Sequence, residues 1–220
     1  MNCALLDNDV LIKVSAYKLS GITLDRTTFE GVPPAMLGVG RFVVRDRLAR
    51  SSRFADGAAA LTCFNEMLPG LSLLEPTDAE LQQAAEFESY ALSTNSELDG
   101  GESQLLAILI SRSAKLLATG DKRAIKAIEA IAAVEAQGRI ACFEQLVASI
   151  ALAISTNDLQ SAICSEPNAD KALSICFKCA SQAPLTAAAV SEALNSYIEH
   201  VRLQASSVLI AGSDLTAFSA

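Results

Sequence analysis

Short apolar runs alternate with longer stretches of helical periodicity through the first 155 residues of the chain. Each run has the length of a buried strand, and the stretch after it has apolar residues three or four positions apart. This alternation is typical of parallel strands joined by helices that cover both faces of the sheet. We therefore predict an α/β fold, a three-layer α/β/α sandwich with a mainly parallel sheet. Its strands are expected at residues 3–6, 71–74, 115–119 and 140–143.

Helix signals divide the chain between these strands. Pro34 can occupy a first helical turn, Thr77 and Glu80 have the spacing of a capping box, and Gly138 has the position of a C-cap. Residues 21–31 are predicted to be a loop. We expect helices at residues 8–19, 34–50, 54–67, 77–91, 102–111, 122–137 and 144–155.

The pattern changes after residue 155. No strand pattern follows, and three helical patterns are separated by Asn157, Asn168 and Pro184. We therefore predict two units, an α/β domain at 1–155 and an all-helical extension at 156–220. Three roles stay open for the extension, which could pack on the domain, form a homodimer or hold a protein partner.

Charge and cysteine content limit the class of protein. The formal net charge is −8, whereas a domain that binds nucleic acid through a broad basic face is usually basic. Local binding of nucleic acid by an enzyme stays possible. No leader peptide pattern precedes the first strand, and the apolar runs are too short to span a bilayer. We expect a cytoplasmic protein, away from the membrane, whose six cysteines are free thiols.

Three acids from distant parts of the sequence are expected at one edge of the sheet. Asp7 ends the first strand and Asp121 follows the third, while Glu102 begins the helix that leads into the third strand. Ligands of open parallel sheets bind outside the carboxyl ends of the strands. Carboxylates gathered there repel one another unless a cation is present, and Mg²⁺ or Mn²⁺ favours oxygen ligands. The sequence therefore predicts a divalent metal site.

Three short motifs carry a family resemblance. They are DNDVLI at 7–12, LDGGE at 98–102 and TGDKRA at 119–124. In this order and spacing they resemble the motifs of PIN domains, over about residues 1–150. The resemblance implies a metal-dependent ribonuclease of the kind found as the toxin of toxin–antitoxin pairs. It implies that Asp7, Glu102 and Asp121 are the catalytic and metal-binding acids, and that Thr119 orients the metal or its water.

The chain departs from the family pattern at two positions. Asp9 stands where such domains often have asparagine. A glutamate expected early in the second helical region is missing, because residues 34–44 contain no acid. Glu30 precedes this region and Asp46 follows it, but neither lies at the expected position. The departure implies an altered metal site, a weakened nuclease, or a PIN-like module kept for protein interaction.

Basic residues near these motifs are candidates for binding substrate phosphates. Lys122 and Arg123 directly follow Asp121, while Arg41 and Arg45 belong to a cluster of five arginines between positions 41 and 53. Each set has an alternative as a solvated helix surface. The acids have an alternative too, since an acid before a helix often caps its N–H groups.

Other functions are less well supported. Cys176 and Cys179 have zinc-like spacing, yet a structural zinc site needs four ligands, and cysteines so spaced are common in helix cores. His200, the one histidine, is expected on a helix surface. A phosphatase-like hydrolase that acts on small molecules at the same metal site is a third alternative. RNA is the expected substrate, and an antitoxin-like or other protein is the expected partner.

Overall fold

The computed structural model describes residues 1–181 and 183–218, and a five-stranded sheet forms its centre. The strands are β1 (Ala4–Leu6), β2 (Ala35–Leu37), β3 (Ser72–Leu74), β4 (Leu116–Thr119) and β5 (Ile140–Cys142). Their order in the sheet is β3-β2-β1-β4-β5, and neighbouring strands are parallel throughout. The predicted α/β fold with a parallel sheet is confirmed.

Eleven α-helices occur in the described residues. The first eight lie between the strands or directly after β5, and they are α1 (Asn8–Ala16), α2 (Ser20–Thr27), α3 (Gly40–Arg50), α4 (Gly57–Met67), α5 (Asp78–Ser93), α6 (Gly100–Ser111), α7 (Lys122–Ala132) and α8 (Phe143–Ala151). The last three are α9 (Thr156–Ser165), α10 (Lys171–Cys176) and α11 (Ala187–Arg202). Short 3₁₀ turns occur at Leu68–Gly70 and Thr216–Phe218.

Successive residues of β1 enter two different apolar cores. Ala4 and Leu6 pack in one core with residues of α1, α4 and α8, whereas Leu5 packs in the other with residues of α6 and α7. This alternation follows from the pleat of a strand, whose side chains point to opposite faces in turn. Helices therefore cover both faces of the sheet, an arrangement compatible with the expected three layers.

The predicted helix at 34–50 and the predicted loop at 21–31 are both wrong in part. β2 occupies Ala35–Leu37, inside the predicted helix, and that helix begins only at Gly40. The three residues of β2 fill the gap between β1 and β3, and this contact outweighs the local helix signal of Pro34. Conversely, Ser20–Thr27 forms α2 because its buried residues pack under α4, although no side chain caps its start.

Three other helices end earlier than predicted, and one of them is α8, which ends at Ala151 rather than at residue 155. α1 ends at Ala16, and Lys18 then adopts a φ of 58°, which breaks the helix before residue 19. α7 ends at Ala132, and turns continue to Gly138, whose φ of 62° suits glycine. The predicted stop at Gly138 therefore marks the end of the turns rather than the end of the helix.

The C-terminal segment packs on the α/β core. Leu159, Leu173 and Leu194 enter the first apolar core, and Ile198 enters the second. The segment is not purely helical, because residues 207–210 run beside the outer edge of β5. There Ile140 N–H donates to the carbonyl of Val208 at 2.9 Å, and Ile210 N–H donates to the carbonyl of Ile140 at 2.8 Å.

The expectation that all cysteines are free is wrong for one pair. Cys164 of α9 and Cys179, which follows α10, form a disulfide, since the packing of these segments brings their Cα atoms to 5.0 Å. The remaining thiols are free, at Cys3, Cys63, Cys142 and Cys176. Within residues 1–181 and 183–218, no helix combines the length and the apolar character needed to cross a membrane.

Candidate metal centre

The two strands that end on acids are neighbours in the sheet. β1 pairs with β4 in the register Leu6 to Ala118, and Asp7 N–H donates to the carbonyl of Ala118 at 3.0 Å. β1 pairs with β2 on its other side. The strands β2 and β3 therefore lie on one side of β1, and the later strands β4 and β5 lie on the other, so the strand order reverses between β1 and β4. Such switch points leave a crevice beyond the strand ends. Asp7 and Asp121 lie together at that edge.

A cleft of about 670 Å³ opens there. Asp7, Glu102 and Asp121 all line it, and Asp9 and Asp99 add two further carboxylates. The cationic side chains in its lining are those of Lys13, Arg47 and Arg123. The structure thus brings together the three acids that the sequence motifs single out.

Asp7 is buried at the base of the cleft, with 6% of its surface exposed. Its carboxylate caps α1 by accepting from the N–H groups of Asn8 at 2.7 Å and Asp9 at 3.4 Å. Burial raises the pKa of Asp7 to about 6, and the charge of Asp9 adds to the rise, while the Asn8 N–H opposes it. Asp7 therefore both caps α1 and lines the cleft.

Glu102 forms a capping box at the start of α6. Its Oε2 accepts from Asp99 N–H at 3.0 Å, and Asp99 Oδ1 accepts from Glu102 N–H at 2.9 Å. Glu102 is 7% exposed. Burial is the main cause that raises the pKa of Glu102 to about 8, and the charges of Asp99, Asp7 and Asp121 add to it. Of the three acids in the motifs, Asp7 and Glu102 therefore have pKa values raised above those of ordinary carboxyl groups.

Asp121 caps α7 and is held by a neighbouring guanidinium. Its Oδ1 accepts from Arg123 N–H at 2.8 Å, and Arg123 Nη2 lies 2.9 Å from Oδ2. Burial alone would raise the pKa of Asp121, but the hydrogen bonds and charge of Arg123 outweigh burial and lower it. Asp121 is therefore the acid of the three that stays ionised most readily.

Thr119 connects the two strand ends. Its buried hydroxyl donates to Asp7 Oδ2 at 3.3 Å and accepts from Asp121 N–H at 3.2 Å. Gly120 follows, and a Cβ at that position would lie 2.1 Å from Asp9 Oδ2 and 2.8 Å from Lys13 Nζ. A larger residue at this position would therefore displace the Asp9–Lys13 ion pair.

Lys13 is a buried cation in the wall of the cleft. Its ammonium lies 2.6 Å from Asp9 Oδ2 and 2.8 Å from Asp170 Oδ2, with 8% of the side chain exposed. It also lies 5.1 Å from the centre of the Phe143 ring. The sequence motifs did not single out Lys13 or Asp170, because their contact joins α1 to the segment before α10.

Among the arginines of α3, Arg47 lines the cleft and the others do not. Val39, Val43 and Arg47, four residues apart, line the cleft as one side of the helix. The candidates Arg41 and Arg45 do not line it. Arg41 instead stacks on Phe42 at 4.7 Å, and Arg45 Nε donates to the side chain of Asn65 at 2.9 Å.

No acid of α3 or of the segment before it replaces the missing glutamate. Glu30 pairs with Lys115 at 2.7 Å and Asp46 pairs with Arg50 at 2.8 Å, and neither lines the cleft. The side of α3 that faces the cleft presents two valines and Arg47 instead. This side of α3 therefore contributes no carboxylate to the lining of the cleft.

The donor chemistry of the cleft suits a hard divalent cation. Carboxylate and hydroxyl oxygens of Asp7, Glu102, Asp121 and Thr119 are the ligand types that Mg²⁺ and Mn²⁺ prefer. A cation would also favour the ionised forms of Asp7 and Glu102, whose burial now disfavours them. In the described side-chain arrangement, no three histidine, cysteine, aspartate or glutamate residues are grouped closely enough to hold an ion.

The alternative zinc ligands form no metal site in the part of the chain that the structure describes. Cys179 is joined to Cys164 in the disulfide, Cys176 is buried in the first apolar core, and His200 lies exposed on α11.

Comparisons of the chain with protein-family models, curated proteins and solved structures find no match.

Proposed function

We propose that this protein is a metal-dependent ribonuclease of the PIN-like kind, with an altered active site. The observation that supports it most is the convergence of Asp7, Glu102 and Asp121 on one cleft at the carboxyl ends of β1 and β4. These are the positions that the PIN-like motifs single out. RNA would be the substrate, the protein would act in the cytoplasm, and an antitoxin-like protein or a second copy of the chain would be its partner.

The residues of the cleft would have different roles in catalysis. Asp7, Glu102 and Asp121 would hold Mg²⁺ or Mn²⁺, and the Thr119 hydroxyl, which bonds to Asp7, would keep that carboxylate oriented. A bound divalent metal lowers the pKa of water and neutralises charge on a phosphodiester. Arg47, on the side of α3 that lacks the usual acid, would contact the phosphate of the strand to be cleaved.

A non-catalytic PIN-like interaction module is the second candidate. It is favoured by the cations that the protein already places against its acids. Arg123 binds Asp121 through two hydrogen bonds from its side chain, and Lys13 binds Asp9. Such internal ion pairs reduce the negative charge that a metal would otherwise neutralise. Metal binding therefore distinguishes the two candidates.

The test is calorimetric titration of Mn²⁺ into the wild type and into Asp7→Asn/Asp121→Asn. Asparagine keeps the cap of each helix while it removes the charge, so the fold should persist. Asp25→Asn/Asp78→Asn is the matched control, since it removes two exposed carboxylates outside the cleft.

The ribonuclease predicts binding by the wild type and the control but not by the cleft variant. It also predicts Mn²⁺-dependent RNA cleavage that Asp121→Asn abolishes. No binding by the wild type would favour the interaction module. Equal cleavage by Asp121→Asn would refute the proposed role of the cleft.

A further inference from the structure

A second cavity, of about 430 Å³, adjoins the acidic cleft. Three parts of the chain form its walls, namely residues 94–97 after α5, the first half of α7, and the end of α11. Arg123 lines both cavities, so they share one wall. We call this second cavity the basic groove, after the cations Lys122, Arg123 and Lys126 in its lining, which also includes Glu97, His200 and Gln204.

The charge of the basic groove is opposite to that of the chain. Among the described residues that line it, Lys122, Arg123 and Lys126 are cationic, and Glu97 is the one carboxylate. The whole chain carries a net charge of −8, and the neighbouring cleft is lined by five carboxylates against three cations. A positive groove beside a negative cleft, on an acidic protein, indicates a local site for an anion.

Two of these cationic side chains are already engaged within the protein. Lys122 Nζ lies 2.6 Å from Glu144 Oε1 and 4.7 Å from the centre of the Tyr197 ring. Arg123 is bound to Asp121 and to Glu97. These contacts hold Lys122 and Arg123 in place but use much of their charge.

Lys126 and His200 remain available to a ligand. Lys126 is exposed, lies one turn after Lys122 on α7, and has no hydrogen-bond or ion-pair partner in the described part of the chain. His200 is exposed opposite it on α11, where one ring nitrogen lies 3.0 Å from Gln204 Nε2. The Ser96 hydroxyl and the side-chain amides of Asn95 and Gln204 supply further donors, whereas the Thr94 hydroxyl donates to carbonyl groups of α5.

We propose that the basic groove binds backbone phosphates of a single-stranded RNA beside the bond positioned in the acidic cleft. The inference rests on the proposed function, since it takes the cleft as the place of cleavage. Lys126 supplies the charge and His200 a hydrogen bond, so the C-terminal helix α11 contributes to substrate binding. Phosphate contacts position a strand without reading its sequence.

The experiment measures binding and cleavage separately on the full chain. Binding of a fluorescent single-stranded RNA is followed by anisotropy in EDTA, where no metal supports cleavage, at several salt concentrations. Cleavage of the same RNA is followed with Mn²⁺. The variants are Lys126→Ala and His200→Ala. The matched control is Lys171→Ala, which removes an equally exposed lysine that does not line the groove.

We expect Lys126→Ala to weaken RNA binding severalfold and to reduce the slope of log affinity against log salt by about 0.7, the value of one phosphate contact on a single strand. His200→Ala should weaken binding with little change in slope, and Lys171→Ala should match the wild type. Cleavage by Lys126→Ala should show a raised KM and an unchanged kcat.

The two proposals fail in different ways. If the wild type cleaves RNA and Lys126→Ala binds RNA as tightly as the wild type, the role of the basic groove in binding phosphates is refuted. The proposal that the protein is a ribonuclease then stands. If RNA binding depends on Lys126 but Mn²⁺ supports no cleavage, the role of the basic groove in binding phosphates stands. The proposal that the protein is a ribonuclease is then refuted. Failure of the wild type to bind RNA in EDTA would overturn the groove whatever the cleavage result.

Discussion

Lys13 and Asp170 form a buried ion pair of 2.8 Å that joins the wall of the acidic cleft to the segment before α10. The same ammonium binds Asp9 at 2.6 Å, so one cation connects residues that lie more than 150 positions apart. The residues after 155 therefore do more than cover the sheet. Asp170 supplies a charge that pairs with Lys13, and Lys13 in turn binds Asp9 of the DNDVLI motif.

Replacement of Lys13 should destabilise the fold strongly. Lys13→Met fills the space but leaves the Asp9 and Asp170 carboxylates without their shared cation, and loss of one partner of a buried pair costs about 3–5 kcal/mol. Asp170→Asn keeps the cap of α10 and leaves Lys13 paired with Asp9, so its cost should be lower, about 1.5–3 kcal/mol. Urea unfolding measures both. Lys18→Met, which removes the exposed pair with Asp56, is the control and should change stability by less than about 1 kcal/mol.

The metal-free protein should lose stability as the pH rises from about 4.5 to about 8. Glu102 has a pKa raised from 4.5 to about 8, so the folded state binds its proton more tightly than the unfolded state. The resulting stabilisation is complete below pH 4.5 and is lost as the pH rises through about 8. Asp7 adds a smaller loss between 3.8 and about 6. Unfolding in EDTA at a series of pH values measures the slope.

Glu102→Gln supplies the matched comparison for this pH dependence. Glutamine keeps the capping box with Asp99 but does not titrate, so the slope between pH 6 and 8 should become much flatter. A slope in the variant as steep as that of the wild type would show that another group causes the loss.

Loss of Arg112 should destabilise the protein strongly at neutral pH and progressively less as the pH falls toward 2. Glu80 Oε1 accepts from Ser111 and Arg112, and these bonds lower the pKa of Glu80 to about 2. A depressed pKa stabilises the fold above the unfolded value of 4.5, and this stabilisation is lost as the pH falls toward 2. Arg112→Met should therefore cost on the order of 3 kcal/mol at pH 7.

Thermal unfolding at pH 7 and at pH 3 tests this prediction, with Arg50→Met as the control. Arg50 pairs with Asp46 on the surface and should contribute little at either pH. A cost of Arg112→Met that stays constant between the two pH values would contradict the ion pair as its cause.

The disulfide should stabilise the C-terminal helices only under oxidising conditions. Cys164 and Cys179 are 15 residues apart, and closing a loop of that length stabilises a fold by about 3 kcal/mol. Cys164→Ser should therefore be less stable than the wild type without reductant and equal to it with reductant. Cys63→Ser, which removes a free thiol, is the control. A deficit of Cys164→Ser that persists in reductant would indicate lost packing instead.

The strands that end on acids could be predicted because their signal is local. The apolar runs before Asp7 and Asp121 are fully buried, and each is followed within two residues of the strand end by a carboxylate that caps the next helix. β2 could not be predicted in the same way, because Ala35–Leu37 directly follows Pro34, a residue that favours the first turn of a helix. Only the gap between β1 and β3 determines that it is a strand.

The rest of the cleft depends on contacts that local patterns do not contain. Arg47 lines the cleft while Arg41 and Arg45 do not, because the start of α3 at Gly40 sets which side of the helix faces the acids. The contact of Lys13 with Asp170 depends on how the C-terminal helices pack. The pairing of Cys164 with Cys179 rather than Cys176 likewise depends on the turn after α10.

The order of the strands also determines when the acidic cleft can exist. β1 lies at the centre of the sheet, but its partner β4 is synthesised more than 100 residues later, after β2 and β3. Asp7 leaves the ribosome long before Asp121, and Asp170 follows later still. Domains generally fold as units during synthesis. A nascent chain therefore carries a separated set of acids until most of its length has emerged, and a truncated translation product would lack the assembled site.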